Sequence, residues 1–279
     1  MINNTVSLIM PTYNRGYIIE LAIKSIVKQV KSSNKIELII GDDSDDINDS
    51  TESIANKYID SGINIIYKKF DRIPLSDKIN KLVELSSGKY YGLVGSDDIQ
   101  SPYKISAFEE SLAENPNAQV FGQKSFIYHD IIYNKSNLWT QNKDLEFFKA
   151  GSFVIINKDI FERVNGYQKG LWKRIDKSFY KKMLHLKPRI IDMSKTNIKI
   201  INSSIALQHI DNIWGRSAKG LLSKEPRQLS NFYAEPILIN MQKELPNLFE
   251  DYNAIQKRLI DIYKKKFPIK YFWRNLTIS

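Results

Sequence analysis

Apolar and polar positions along the first 115 residues fall into two alternating kinds of block. Short apolar runs, Val6-Ser7-Leu8-Ile9-Met10, Ile36-Glu37-Leu38-Ile39-Ile40, Ile63 to Tyr67 and Tyr90 to Val94, have the length and β-branched content of buried strands. Between them apolar residues recur at helical spacing. Ile18, Leu21, Ala22, Ser25, Ile26 and Val30 form one such stripe, and Thr51 to Ile59, Leu75 to Leu85 (Ser76 a possible cap) and Ser101 to Glu114 predict three more helices. Strand and helix in strict alternation predict βαβ units, hence a central, mostly parallel sheet flanked by helices: a Rossmann-like α/β fold.

The pattern changes after Pro116. Ala118 to Tyr128 and Ile131 to Trp139 alternate and are rich in aromatics, as in a more antiparallel region. A strand over 151–157, a short helix over 158–164, the turn Asn165-Gly166-Tyr167, a helix from Asp176 to Leu186, and strands over 198–201 and 204–208 follow. From Pro226 onward the pattern is helical, interrupted at Pro246 and Pro268. These shifts predict a catalytic domain over 1–215 and a helical basic extension over 216–279.

At 42% hydrophobic and 26% charged residues, the chain reads as globular rather than disordered. It has no cysteine, which excludes disulfides and thiolate metal sites and fits a reducing compartment. No apolar run approaches membrane-spanning length and no signal-peptide pattern opens the chain, so a cytoplasmic location is expected. The net charge of +10 favours anionic partners, and much of it falls late, in Lys257-Arg258, Lys264-Lys265-Lys266, Lys270 and Arg274. A solvated helix face is the simpler account of any one cluster.

The candidate chemistry lies where strands stop. Thr12-Tyr13-Asn14-Arg15, Asp42-Asp43 and Asp97-Asp98 each follow a predicted strand. Ligands bind at the carboxyl ends of strands in open α/β sheets. Adjacent carboxylates at such an end call for a cation or a polar ligand, although either acid can also cap the helix that starts near Pro102. A hard cation such as Mg²⁺ or Mn²⁺, arriving with a phosphate-bearing substrate, satisfies both requirements. Gly-x-Gly-x-x-Gly and the P-loop pattern are absent, which disfavours dinucleotide binding and P-loop chemistry.

Taken in order, Val6 to Arg15, Glu37 to Ser44, Gly88-Lys89-Tyr90-Tyr91 and Gly95-Ser96-Asp97-Asp98 resemble the family 2 glycosyltransferases of GT-A fold over about the first 210 residues. The resemblance implies an inverting sugar transfer from a nucleoside diphosphate sugar, with a uridine diphosphate donor favoured, and Mn²⁺ or Mg²⁺ as cofactor. It implies that Pro11, Tyr13 and Asp43 hold the nucleobase, with Arg15 beside them, that Asp97 binds the ribose, and that Asp98 coordinates the metal. Asn80 matches the Asn of an Ala-Arg-Asn run before the fourth strand, which places it with the donor-binding residues. Asp176 matches the general base, although Ile175 replaces the family's preceding Glu and an N-cap role is the alternative. His209 corresponds to a metal or diphosphate contact, with a surface histidine as the alternative. Trp214 and Arg216 would belong to a loop over the donor phosphates.

The expected acceptor is a surface glycan or a lipid-linked saccharide, with the basic, aromatic C-terminus resting on an anionic membrane face. The same chemistry on a hydroxylated base in DNA is the first alternative. A nucleotidyltransferase or a non-catalytic module is the second. The Gln-x-x-Arg-Trp motif of processive synthases is absent, which favours addition of a single sugar.

Overall fold

The computed structural model describes residues 6–29, 36–123, 125–130, 135–140, 154–173, 175–193, 205–208, 243 and 246–266. A seven-stranded sheet organises the fold. Its parallel core is β1 (Val6–Thr12), β2 (Ile36–Asp42), β3 (Asn64–Lys69) and β4 (Tyr90–Leu93). The strand order is β10-β6-β9-β4-β1-β2-β3, where β6 spans Val120–Gly122, β9 Val154–Asn157 and β10 Ile190–Asp192. Only β9 runs against its neighbours, β4 and β6.

The apolar runs lack polar alternation because helices cover both faces of this sheet. Successive residues point to opposite sides: Leu8, Met10, Leu38, Ile40 and Tyr90 enter one core, while Ile9, Ile39 and Tyr91 enter the other. The first core is closed by α1 (Ile19–Val27), α2 (Thr51–Lys57) and α4 (Lys104–Glu114). The second is closed by α3 (Leu75–Leu85), α5 (Lys158–Arg163) and α6 (Ile175–His185). Glu37 is the polar exception inside β2. Its buried carboxylate accepts from Ser7 Oγ at 2.5 Å, Asn64 Nδ2 at 3.3 Å, and Ser87 N and Oγ at 3.0 and 3.1 Å, tying the sheet together near its amino edge.

Within the described residues the expected elements are present, with differences that have physical causes. The stretch 118–128 is two strands, β6 and β7 (Ser125–Asp130), which belong to different sheets. The second sheet has the order β5-β11-β7-β8, with β5 at Asp98–Ile99, β11 at Ile205–Gln208 and β8 at Lys135–Thr140. β5 escapes a periodicity reading because two residues carry no period. Its pairing partner, β11, lies more than 100 residues later. Helix α4 begins at Lys104 because Ser101 to Tyr103 are used in the turn that leaves β5. Ser76 does not cap α3; it is buried and exchanges hydrogen bonds with Leu171. Residues 198–201, and of the helical pattern expected from Pro226 onward residues 226–242, 244–245 and 267–279, lie outside the described residues.

Helix α7 (Pro246–Lys266) packs on α1. Lys24 on α1 pairs with Asp251, and His129 on β7 hydrogen-bonds the Tyr252 hydroxyl. Tyr252 and Leu259 are buried. No helix among the described residues is long and apolar enough to cross a membrane.

Candidate active site

The parallel strands bring three of the predicted segments to one edge of the sheet. Pro11 lies opposite Gly41 and Thr12 opposite Asp42 in register, so the loops leaving β1 and β2 emerge side by side. Asn14, in a left-handed conformation (φ 51°), laces them together. Its backbone N–H donates to Ser44 Oγ at 2.7 Å and its Nδ2 to Asp45 at 2.9 Å, while its Oδ1 accepts from the N–H groups of Asp45 and Asp46. The Tyr13 hydroxyl donates to both Asp45 oxygens at 2.9 Å, and that bond raises its pKa.

Asp42 and Asp43, adjacent in sequence, have different surroundings. Asp42 accepts from Ser44, from the Tyr67 hydroxyl at 2.8 Å and from Lys69 Nζ at 3.1 Å. Burial pushes its carboxyl up, but these bonds outweigh burial and hold it below the usual range. Asp43 is buried between two cations: one oxygen meets Lys78 Nζ and the other accepts from Arg72 Nη1 at 2.6 Å. Lys78 also donates to the Thr12 carbonyl at 2.7 Å, and its pKa is lowered because burial outweighs the pull of Asp43. The Arg72 guanidinium stacks 3.6 Å from the Tyr13 ring centre and 4.7 Å from that of the exposed Trp172. The result is an aromatic slot with a buried carboxylate at its base, and with Asp45 on the Tyr13 hydroxyl the formal charges of Asp43, Asp45, Arg72 and Lys78 balance.

The acid pair stands beyond β4. A Cβ on Gly95 would come within 2.4 Å of Asp98 Oδ2 and 3.1 Å of Asp97 Oδ1, so glycine is required for both carboxylates to fold back over this turn. Arg15 Nε lies 3.8 Å from Asp97 Oδ2, joining the β1 loop to the pair. Asp98 is buried and pairs through β5 with Ala206 of β11. Fully buried Lys104 donates to Gln100 at 2.7 Å; burial lowers its pKa to about 7, against the pull of Asp98. Among the described residues no cluster of three or more His, Cys, Asp or Glu side chains could hold a metal by itself.

Asp176 lies in the first turn of α6, partly exposed. The residue keeps some contact with solvent, but the protein packed around its carboxyl desolvates that group and raises its pKa to about 7. Its charge acts on the hydroxyls of Tyr167 and Tyr180, which are themselves coupled to Tyr91. Asn80 is not at the open face of the slot. Its Nδ2 donates to the Tyr167 carbonyl at 2.9 Å and its Oδ1 accepts from the Tyr167 N–H at 2.8 Å, so the amide expected at the donor is committed to backbone. His209, Trp214 and Arg216 lie outside the described residues.

Sequence reasoning missed Arg72 and Trp172, which sit in irregular segments without a period to mark them. For Lys78 a signal exists in the sequence. Lys78 falls on the stripe Leu75, Ile79, Leu82, and a charge on the apolar face of a helix needs a buried counter-ion.

A family model described as glycosyl transferase family 2 matches residues 7–167. A relative in Escherichia coli, the UDP-Glc:alpha-D-GlcNAc-diphosphoundecaprenol beta-1,3-glucosyltransferase WfgD, is 27% identical over 54% of this chain. A Rickettsia conorii protein named an uncharacterised glycosyltransferase is 28% identical over 55%. These matches span 59% and 23% of the two relatives' own lengths. Among solved structures, Staphylococcus aureus TarS 1–349 in complex with UDP-GlcNAc superposes with a TM-score of 0.61 at 17% identity, covering 94% of this chain and 73% of that one. The Pyrobaculum calidifontis mannosyltransferase PcManGT, in complex with GDP-Man and Mn²⁺, gives 0.54 at 15% identity over 90% and 73%. These likenesses establish the fold as GT-A. The family match spans more than half the sequence, from β1 through the acid pair to Tyr167, and the chain belongs to the family 2 glycosyltransferases, enzymes that act on a sugar donor.

Proposed function

We propose that the chain catalyses inverting, divalent-cation-dependent transfer of one sugar from a nucleoside diphosphate, with uridine diphosphate favoured, to a hydroxyl of a lipid-linked saccharide. The observation that carries this reading is the joint placement of the Tyr13–Asp43 slot and the Gly95–Asp98 turn at one sheet edge, linked by Arg15. The base stacks on Tyr13 against Pro11 and, as the half-exposed Arg72 swings aside, donates an N–H to the Asp43 oxygen that Arg72 uncovers, while Lys78 stays on the other oxygen. Asp97 takes the ribose. Asp98, whose carboxylate packs directly on Gly95, offers hard oxygen donors and would suit a cation that needs few protein ligands beside a diphosphate. His209, which follows β11 in the sequence, would be the second protein ligand. Bound Mn²⁺ or Mg²⁺ supplies the charge that offsets the negative charge developing on the leaving diphosphate.

Asp176 receives the acceptor's hydroxyl proton as the acceptor oxygen bonds to the anomeric carbon. The bond from that carbon to the diphosphate oxygen breaks on the opposite face, and its electron pair leaves with the diphosphate. A carboxyl held near neutrality is matched to that proton transfer. The E. coli relative's name specifies a diphosphoundecaprenol acceptor, and α7 exposes Lys257, Arg258, Lys264 and Lys265, which suit an anionic membrane face. Trp214 and Arg216 remain candidates for the donor-phosphate loop.

Calorimetry of UDP with and without Mn²⁺ tests the core of this proposal. Tightening by at least tenfold in the native chain, lost in Asp98→Ala, is expected. Equal binding with and without the metal in both proteins overturns it. Co-sedimentation with phosphatidylglycerol vesicles, absent with phosphatidylcholine, tests the membrane face.

A further inference from the structure

We infer that Asn80 is a positioning residue for the acceptor side of the reaction: from α3 it fixes the backbone of Tyr167 and, through the Tyr167–Phe179 stack, the first turn of α6. This rests on the reading of Asp176 as the base.

Asn80 is 8% exposed, and one amide closes a two-point bond on one residue, with Nδ2 to the Tyr167 carbonyl and Oδ1 from its N–H. The turn is shaped around it. Asn165 and Gly166 both have positive φ, 55° and 64°, and a Cβ on Gly166 would lie 2.8 Å from Asn80 Oδ1 and 3.1 Å from the Phe161 ring. A buried peptide held at both its N–H and its C=O has little freedom to tilt. The Tyr167 ring therefore has a fixed direction, and it stacks on Phe179 at 4.1 Å between centroids and 15° between planes. Phe179 lies three residues after Asp176, on the next turn of α6.

Neighbouring bonds reinforce the same seam. Ser76 exchanges two hydrogen bonds with Leu171, and Asp77 accepts from the Gly170 N–H at 3.0 Å. The opposite side of α3 carries Lys78, which holds Asp43 and the Thr12 carbonyl. One helix thus braces the donor slot with one residue and the approach to Asp176 with three others. The titratable groups coupled to Asp176 are the hydroxyls of Tyr167 on the turn and Tyr180 on α6, and through them Tyr91 on β4. Burial pushes all three hydroxyls above their ordinary pKa, so they stay neutral across the working range.

The test uses the full chain with Asn80→Ala and Asn80→Asp. The second keeps the shape and the bond from the Tyr167 N–H but turns the contact with the Tyr167 carbonyl into repulsion. Three quantities are read: UDP affinity by calorimetry, the rate of UDP release from UDP-glucose in water, and the pH at which Asp176 ionises. The last is obtained without any acceptor, by comparing unfolding of each protein with its Asp176→Asn counterpart between pH 4 and pH 8. Expected are UDP affinity within twofold of native, release at least tenfold slower, and Asp176 ionising at least 0.5 pH unit lower as its carboxylate gains water. UDP binding weakened tenfold or more makes Asn80 a donor contact and overturns the proposal. So does an unmoved Asp176 ionisation, which leaves only a general structural part. Asp176→Asn in an otherwise native chain separates the two readings: full activity there removes the base assignment, whereas loss of activity there with Asn80 variants that behave as native removes this inference alone.

Discussion

The Arg72 guanidinium lies 3.6 Å from the centre of the Tyr13 ring while its Nη1 donates to Asp43 at 2.6 Å. One side chain thus touches both the stacking surface and the acceptor expected to receive the nucleobase. Its half-exposed position leaves it free to shift as a base enters. Arg72→Ala should weaken UDP about tenfold, the scale of one stacking contact together with one charge-assisted hydrogen bond. The melting temperature should stay within about 2 °C, since Lys78 still neutralises Asp43. Arg72→Lys should recover only part of the loss, because an ammonium has no flat face to lay on the ring. Unchanged UDP affinity in Arg72→Ala would remove the residue from the donor site.

Lys78 and Asp43 are a different case, since both are almost wholly buried. Lys78→Met leaves the carboxylate with Arg72 alone and should cost about 2–4 kcal/mol in denaturant unfolding, near the low end for a broken buried pair. Adding Asp43→Asn to Lys78→Met should restore at least half of that stability while abolishing UDP binding. A double variant less stable than Lys78→Met would contradict the pairing.

Asp176 ties stability and activity to pH with opposite signs. Burial raises its folded pKa to about 7, above the ordinary value of 3.8, so between these values the folded chain keeps a proton that the unfolded chain has released. Folding is therefore most favoured at low pH for this group, and the benefit disappears as pH rises through 7. Asp176→Asn should be more stable than native by about 2–4 kcal/mol at pH 8, with the gap closing toward pH 4. Native turnover should rise about tenfold per pH unit below 7 and then level off. A variant no more stable than native at pH 8 would show that the carboxylate is well solvated.

His129 behaves in the reverse sense. Burial lowers its pKa to about 4 from 6.5, so the stability it contributes is complete above 6.5 and is lost as pH falls toward 4. Its ring bonds the Tyr252 hydroxyl, which joins α7 to the second sheet. Tyr252→Phe should cost about 1–2 kcal/mol at pH 7. His129→Gln should flatten the acid loss between pH 6.5 and 4, with hydrogen exchange in α7 as the readout. An acid response identical to native would place the sensitivity elsewhere.

The parallel half of the fold was legible because each strand is an apolar run and each helix a stripe, and covalent order alone then brings Tyr13, Asp43 and Asp98 to one edge. What stayed hidden depends on distant pairing or on direction. β5 exists only through β11, and the antiparallel sense of β9 leaves no mark in Val154-Ile155-Ile156. Asn80 was found by its type and its place before β4, yet its partner, Tyr167, lies 87 residues away, and no local pattern gives the direction of an amide.

The reversed strand β9 also sets an electrostatic polarity. Because β9 ends at the amino edge of the sheet, α5 climbs back and α6 descends, so α6 presents its amino end, with Asp176, on the side where β1, β2 and β4 finish. The aligned peptide dipoles of α6 therefore direct about half a positive charge toward the substrate side. Had β9 run with its neighbours, the same helix would have turned its negative end toward a phosphate-bearing substrate.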